Sequence, residues 1–172
     1  MNKFNQDFYK IWKSDFYTIE ANIDRSLWEN KFIKSFEKRL NKIILVIFEN
    51  SKNTLLVNNI LISLLFTGDK KVAELNNYYR KIHKPTNVLS FPSKEINNRN
   101  EIFLGDIVFS SQTITEEAKT DNKNLEDHLI HLFIHGVLHL LGYDHQKEHD
   151  AHIMESLEIK ILKNLKIDNP YN

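Results

Sequence analysis

The sequence predicts an α+β fold, and two observations carry that prediction. Short segments rich in β-branched, aromatic and other apolar residues fall in the first 110 positions, whereas three long helical patterns follow one another from Ser111 onwards. Strands that cluster early and helices that cluster late point to segregated layers rather than to a regular βαβ alternation.

The elements follow from local pattern. Phe16–Asn22, "FYTIEAN", carries β-type residues and reads as a short strand. Leu27–Leu40, "LWENKFIKSFEKRL", sets Leu27, Lys31, Phe32, Phe36 and Leu40 near helical spacing behind Ser26 as N-cap. Over the next stretch, "NKIILVIFEN", periodicity does not decide between more helix and a buried strand. Asn58–Phe66, "NNILISLLF", is a short apolar run, and Gly68 and Asp69 then lead into the helical "KKVAELNNYYR", where Val72, Leu75 and Tyr79 share a face. Pro85 and Pro92 bracket "KPTNVLSFP", so Val88–Phe91 is expected to be extended. "IFLGDIVFS", Ile102–Ser110, is a further strand, with Gly105 marking a bulge or a close approach. Helices are expected over about 111–120, 124–141 and 147–165.

Composition narrows the function classes. A chain of 172 residues with 41% hydrophobic and 11% aromatic residues fits one globular domain, 1–172, and no repeat or Pro/Gly/Ser linker divides it. With no cysteine, a transition metal would have to be held by histidine and carboxylate. "MNKFNQDFYKIW" lacks the apolar run of a signal peptide, and "IILVIF" and "ILISLLF" fall far short of the roughly 20 residues of a membrane helix. A cytoplasmic protein with no membrane partner is expected. Net charge is zero, unlike a general nucleic-acid binder, and no DNA partner is expected. The charge is nevertheless unevenly spread. Asp69–Lys84 carries five Lys/Arg against two acids, and Asp121–Glu158 carries two lysines against eight acids.

The chemistry concentrates in Leu125–Leu141. That segment is apolar on nearly every side except one stripe, where His128, His131, His135 and His139 fall within about 80° of one another at helical pitch. A helix apolar all round is buried, and buried imidazoles need partners such as a metal or a carboxylate. His135–His145 reads "HGVLHLLGYDH", with histidines at offsets 0, 4 and 10 and a glycine at offset 7. His135 and His139 present their rings one turn apart on one face, and Gly142 can reverse the chain so that His145 reaches the same point. A lone HxxxH is weak; the full spacing with its turn glycine is specific for a three-histidine centre whose fourth position stays open. The expected metal site therefore lies at the end of a central buried helix. His128 and His131 are read as supporting or core residues, and His149 and His152 as the exposed face of the last helix. Zinc peptidases with this ligand frame carry a general-base glutamate where this chain has Gly136. A mid-helix glycine loses roughly 1 kcal/mol relative to alanine, so close passage of a neighbouring strand or of a bulky substrate is expected there.

"HGVLHLLGYDH", preceded in the same order by "AELNNYYRKIHKPTNVLSFP" and "LGDIVFS", resembles the YbeY family of bacterial metal-dependent endoribonucleases. The resemblance runs from about Val72 to the closing "NPY" and touches the first 60 or so residues only in outline. It implies a compact domain with a small mixed sheet and about five or six helices, and one Zn²⁺ held by His135, His139 and His145. It further implies an arginine facing the metal, here Arg80, single-stranded RNA as substrate, a role in 16S rRNA 3′-end maturation and ribosome quality control, and small-subunit ribosomal components as partners. Imidazole ligands would equally accept nickel, copper or iron.

On that reading, zinc would lower the pKa of bound water towards about 7 and polarise a phosphoryl oxygen. Arg80, with Lys81 and Lys84, would grip the scissile phosphate, since a guanidinium offers a planar fork matched to it. Asp144 would orient an imidazole or accept a proton. Two alternatives stand beside it. One is a zinc peptidase drawing its carboxylate from Glu148 or Glu155; the other is a metal-stabilised ribosome-assembly factor that only binds.

Overall fold

Over the described residues, 7–51, 59–96 and 101–171, the computed structural model contains five strands and five helices. In chain order these are β1 (Asp7–Lys13), β2 (Tyr17–Asp24), α1 (Asn30–Asn50), β3 (Ile60–Thr67), α2 (Asp69–Arg80), β4 (Val88–Ile96), β5 (Ile102–Ser110), α3 (Ser111–Thr120), α4 (Leu125–Leu140) and α5 (Glu148–Asn164). Asn58, the first residue of the predicted apolar segment, and the opening residues "MNKFNQ" lie outside the described residues.

The strands form one mixed sheet in the order β1-β2-β3-β5-β4, parallel at β2/β3 and β3/β5 and antiparallel at both edges. The inner strands β3 and β5 are buried on both faces along most of their length and read as nearly unbroken apolar runs, whereas β2 leaves Asn22 exposed on one face. Alternation along them sorts the faces. Leu64, Phe66, Ile107 and Phe109 join the main core, while Leu65 and Val108 meet Val72, Leu75 and Leu89 in a smaller cluster under α2. Five aromatic contacts hold the main core: Phe36 of α1 meets Trp12, Phe66 and Phe133 at ring-centroid distances of 5.9, 5.9 and 5.2 Å, and Phe66 meets Trp28 and Phe109 at 5.1 Å each. Helix α4 lies in the middle of this core, with Phe133, Ile134, Val137, Leu138 and Leu140 fully buried.

Several expectations are corrected. Helix α1 starts at Asn30 rather than Leu27, because Ser26 donates from its backbone N–H and its hydroxyl to Asp24 Oδ1 (2.9 and 2.6 Å) and so belongs to the turn after β2. It runs to Asn50, which resolves the ambiguity of "NKIILVIFEN", and its buried stripe includes Ile33, Ile43, Ile44 and Ile47 with Phe36 and Leu40, not Phe32. Strand β4 continues past Pro92 to Ile96; it is an edge strand, where a missing N–H is tolerated. Strand β1, unforeseen in the sequence, pairs antiparallel with Thr18–Asp24 of β2.

Helices α2 and α3 share their N-terminal capping. Neither has a cap from its own side chains, but Asp69 Oδ1 accepts from the Thr113 backbone N–H (3.2 Å) and hydroxyl (2.7 Å) and from the Ser110 hydroxyl. Gln112 Oε1 in turn accepts from the Asp69 backbone N–H at 3.0 Å. Burial alone would raise the Asp69 carboxyl, but the Ser110 and Thr113 hydrogen bonds outweigh it and hold it below its ordinary value. This reciprocal capping fixes the start of α2, whose far end carries Arg80.

Gly105 has φ +135°, and a Cβ there would lie 2.1 Å from the Phe91 carbonyl oxygen, the close approach that the sequence suggested. Gly105→Ala is expected to destabilise the fold by about 1–3 kcal/mol through backbone strain and displacement of β4. A urea midpoint equal to wild type, with an equal m-value, would refute that assignment.

Candidate metal centre

Three elements bring the histidines together. His135 and His139 sit one turn apart at the C-terminal end of α4, which ends in a Schellman motif: Tyr143 N–H donates to Leu138 O and Gly142 N–H to His139 O, both at 3.0 Å, with Gly142 at φ +96°. The reversed chain then carries His145 back to the helix end. The Asp144 carboxylate accepts the His145 backbone N–H at 2.8 Å and shapes this last step. One ligand nitrogen from each of His135, His139 and His145 lies within 4.8 Å of the others, and the ring centroids are 4.6, 4.9 and 5.3 Å apart.

Hydrogen bonds on the far side of two rings decide what the near side can do. His135 Nδ1 is 2.7 Å from Glu158 Oε1, and His139 Nδ1 is 3.0 Å from the Tyr143 carbonyl oxygen. A carboxylate and a carbonyl only accept, so each Nδ1 carries the hydrogen and each neutral ring keeps its lone pair on Nε2. Those two Nε2 atoms are 3.1 Å apart. A hydrogen bond between them would require a proton on one ring. Burial, then the charges of His135 and His145, push His139 down to about 4, so at neutral pH a proton is disfavoured there. Two converging lone pairs with no proton between them suit a cation. Tetrahedral Zn²⁺ with nitrogen at about 2.0–2.1 Å would separate its ligands by about 3.3–3.4 Å, close to this spacing. The three-histidine group can therefore hold a metal ion.

Glu158 is the residue that reading along the sequence missed. It is fully buried on α5 and accepts from three donors: His135, His131 (Nε2 at 3.1 Å from Oε2) and the Tyr171 hydroxyl. Burial by itself would raise its pKa; the hydrogen bonds from His131 and His135, then the His135 charge and Tyr171, bring it down to about 2. A signal was present, because Glu158 lies in register with the apolar stripe Met154, Ile161, Leu162 and Leu165, and an acid on a buried stripe requires partners. His131 and His128 are supporting residues as expected, the latter 2.8 Å from Glu117 Oε2, and His149 and His152 are exposed.

An open groove of about 770 Å³ runs past the centre, and its lining includes Arg80, Asn87, Ser90 and all three histidines. Arg80 thus faces the same space as the metal ligands. Lys81 and Lys84 are exposed and stand outside the groove lining; Lys81 takes the left-handed C-cap of α2 at φ +60°. Asp144 is the one carboxylate among the described lining residues. Glu148 and Glu155, the substitute bases of a peptidase, are exposed and absent from that lining. Gly136 is buried, and a Cβ there would meet Ile107 at 3.0 Å and the Ser90 hydroxyl at 3.2 Å. Of the two expected reasons for that glycine, passage of neighbouring strands is the one the packing supports.

The family profile described as endoribonuclease YbeY matches residues 23–166. The chain belongs to the YbeY family. It is similar to the endoribonuclease YbeY of Bartonella quintana, 40% identical over 158 residues that cover 90% of this chain and 96% of that protein. The corresponding protein of Bartonella bacilliformis is 48% identical over 113 residues, 64% of this chain and 71% of its own length. That of Allorhizobium ampelinum is 47% identical over 112 residues, covering 64% and 67% respectively.

Because Glu158 fixes the His135 tautomer and ring direction, Glu158→Gln is expected to weaken metal binding about 10–100-fold. Competition with a chromogenic chelator measures this. Affinity equal to wild type would show that packing alone orients His135.

Proposed function

We propose that this YbeY-family endoribonuclease is zinc-dependent, cuts single-stranded RNA within one domain spanning 1–172, and uses His135, His139 and His145 for the metal and Arg80 for the scissile phosphate. The carrying observation is the shared groove: a guanidinium and three converging histidines line one open space with a single carboxylate. A phosphodiester brings negative charge to that space, and Arg80 offers it a bidentate fork. Lys81 and Lys84 extend the positive charge along the path of the backbone. The acidic half of the chain, α4 and α5, is in part offset by the bound cation. The physiological target on this reading is 16S rRNA near its 3′ end, handled together with small-subunit ribosomal components in the cytoplasm, with a further role in ribosome quality control. Among the described residues no helix is long and apolar enough to cross a membrane, which agrees with that setting.

When bound, Zn²⁺ supplies an acidified water and a Lewis acid for a phosphoryl oxygen. The chain's own contribution is positional. Glu158 and the Tyr143 carbonyl hold two imidazoles in the ligating tautomer, Asp144 shapes the turn that delivers His145 and offers the groove's carboxylate to take up a proton, and Arg80 fixes the phosphate. The peptidase reading has little support, since Gly136 packs against the sheet and Glu148 and Glu155 lie outside the groove lining.

Arg80→Ala is expected to keep its metal and lose about 10²–10³ in RNA cleavage, whereas His139→Ala loses metal and cleavage together. An unstructured peptide should remain intact in every case. Cleavage of RNA that survives metal removal would defeat the mechanism. A zinc-loaded wild type that binds ribosomal subunits without cutting RNA would favour the assembly-factor alternative.

A further inference from the structure

Tyr79 breaks the pattern that its helix sets. Spacing predicts that it shares a buried face with Val72 and Leu75, yet Val72 is fully buried and Tyr79 is 60% exposed. Its neighbour Tyr78 is 71% exposed, and Ile82 is 41% exposed. Three of the large exposed apolar side chains among the described residues thus fall within five positions around Arg80. A packed helix end does not need this, since rings so open to water contribute little to burial. Large exposed aromatic side chains grouped beside a charged groove point to a binding surface.

The rings are nevertheless ordered by one another. Tyr79 sits against Phe91 at a centroid distance of 4.7 Å, and Tyr78 packs edge-on against Tyr79 at 4.8 Å. Phe91 belongs to edge strand β4, and its neighbours Ser90 and Pro92 line the histidine groove. Strand alternation turns Phe91 to the opposite face, with Leu89, so the aromatic pair stands across edge strand β4 from the groove and is joined to it by Arg80, which follows Tyr79 on α2 and lines the groove. Charge supports a polyanion there. From Leu75 to Lys94 the sequence has no acidic residue and carries Arg80, Lys81 and Lys84, whereas the opposite wall belongs to the acidic segment 121–158.

We propose that Tyr78 and Tyr79 form a stacking platform for unpaired nucleobases beside Arg80, where a strand leaving the metal groove passes over edge strand β4, and that this platform selects single strands. The inference rests on the nuclease reading above. Bases of a single strand can splay onto aromatic faces, and Lys81 and Lys84 meet the adjoining phosphates. A duplex hides its faces in its own stack and gains nothing from the platform. Discrimination between single and double strands then arises from Tyr78 and Tyr79, not from the metal.

The test compares zinc-loaded wild type, the Tyr78→Ala/Tyr79→Ala double variant and the Tyr78→Phe/Tyr79→Phe double variant. Affinity is read by fluorescence anisotropy with a labelled 2′-O-methyl single strand of about ten nucleotides and with its duplex. Steady-state cleavage of a single-stranded RNA, metal content and circular dichroism are measured alongside. The alanine variant is expected to bind the single strand about tenfold or more weakly, with the loss falling on KM rather than kcat, and with metal content and the slope of affinity against salt unchanged. The phenylalanine variant should bind as wild type, because the ring and not the hydroxyl stacks. Lys81→Ala should instead flatten the salt slope. Alanine-variant binding equal to wild type, or phenylalanine-variant binding as weak as alanine, would overturn the platform. Wild type that neither binds nor cuts single-stranded RNA would remove the nuclease reading and the platform with it.

Discussion

Helix α4 has to be desolvated on nearly all sides while carrying four imidazoles, and the rest of the structure can be understood as the solution to that constraint. Leucine, isoleucine and phenylalanine around the helix are covered by the sheet and by α1, α3 and α5. The histidine stripe cannot be covered by apolar groups, because an unpartnered buried imidazole is unfavourable. Each ring therefore meets a specific acceptor: His128 meets Glu117 from α3, His131 and His135 meet Glu158 from α5, and His139 meets the carbonyl of Tyr143 in its own capping turn. Burial of α4 and construction of the metal centre are one event.

The carboxylate of Glu158 shows how tightly the two are coupled. Among the described residues it has no lysine or arginine partner, yet it remains ionised in a fully buried position because three hydrogen-bond donors surround it. Satisfying it consumes the Nδ1 hydrogen of His135 and so commits that ring's Nε2 to the groove. The same atom that settles a buried charge thus sets a ligand's tautomer. Tyr171, in the turn beyond α5, joins the outer side of this arrangement, which places the segment after the last helix within two hydrogen bonds of the metal position.

What could be read from the sequence was what depends on local spacing. His135, His139 and Gly142 follow from helical pitch and a left-handed turn, and the α3, α4 and α5 segments from their periodicity. Gly105 was legible as a close approach, although only the pairing of β4 with β5 reveals that the Phe91 carbonyl is what approaches. The features that escaped depend on partners distant in the chain. β1 is a strand because β2 pairs with it, Ser26 caps nothing because Asp24 claims it, and Glu158 becomes functional only where α5 crosses α4. Tyr79 followed the helical stripe, but the sheet ends at β4 before it can cover that ring.

Gly136 is the point at which the ligand frame and the fold constrain each other most directly. A zinc peptidase places a glutamate at this position, and the same three-histidine spacing here tempts the view that a base has been lost. The packing argues otherwise. Ile107 of β5 and Ser90 of β4 already stand at 3.0 and 3.2 Å from where a Cβ would be, so α4 lies against the sheet at its first ligand. A side chain there would press on Ile107 and Ser90, which would have to give way by a few tenths of an ångström. The close seating that glycine permits also brings β4 to the groove, so that Ser90 and Asn87 line the space that Arg80 enters. On the proposed nuclease reading, a substrate carrying the negative charge of a phosphodiester would be favoured by a guanidinium across the groove and repelled by a second carboxylate. Gly136 thus serves the close packing of α4 on the sheet, and the charge facing the histidines across the groove is the Arg80 guanidinium from α2.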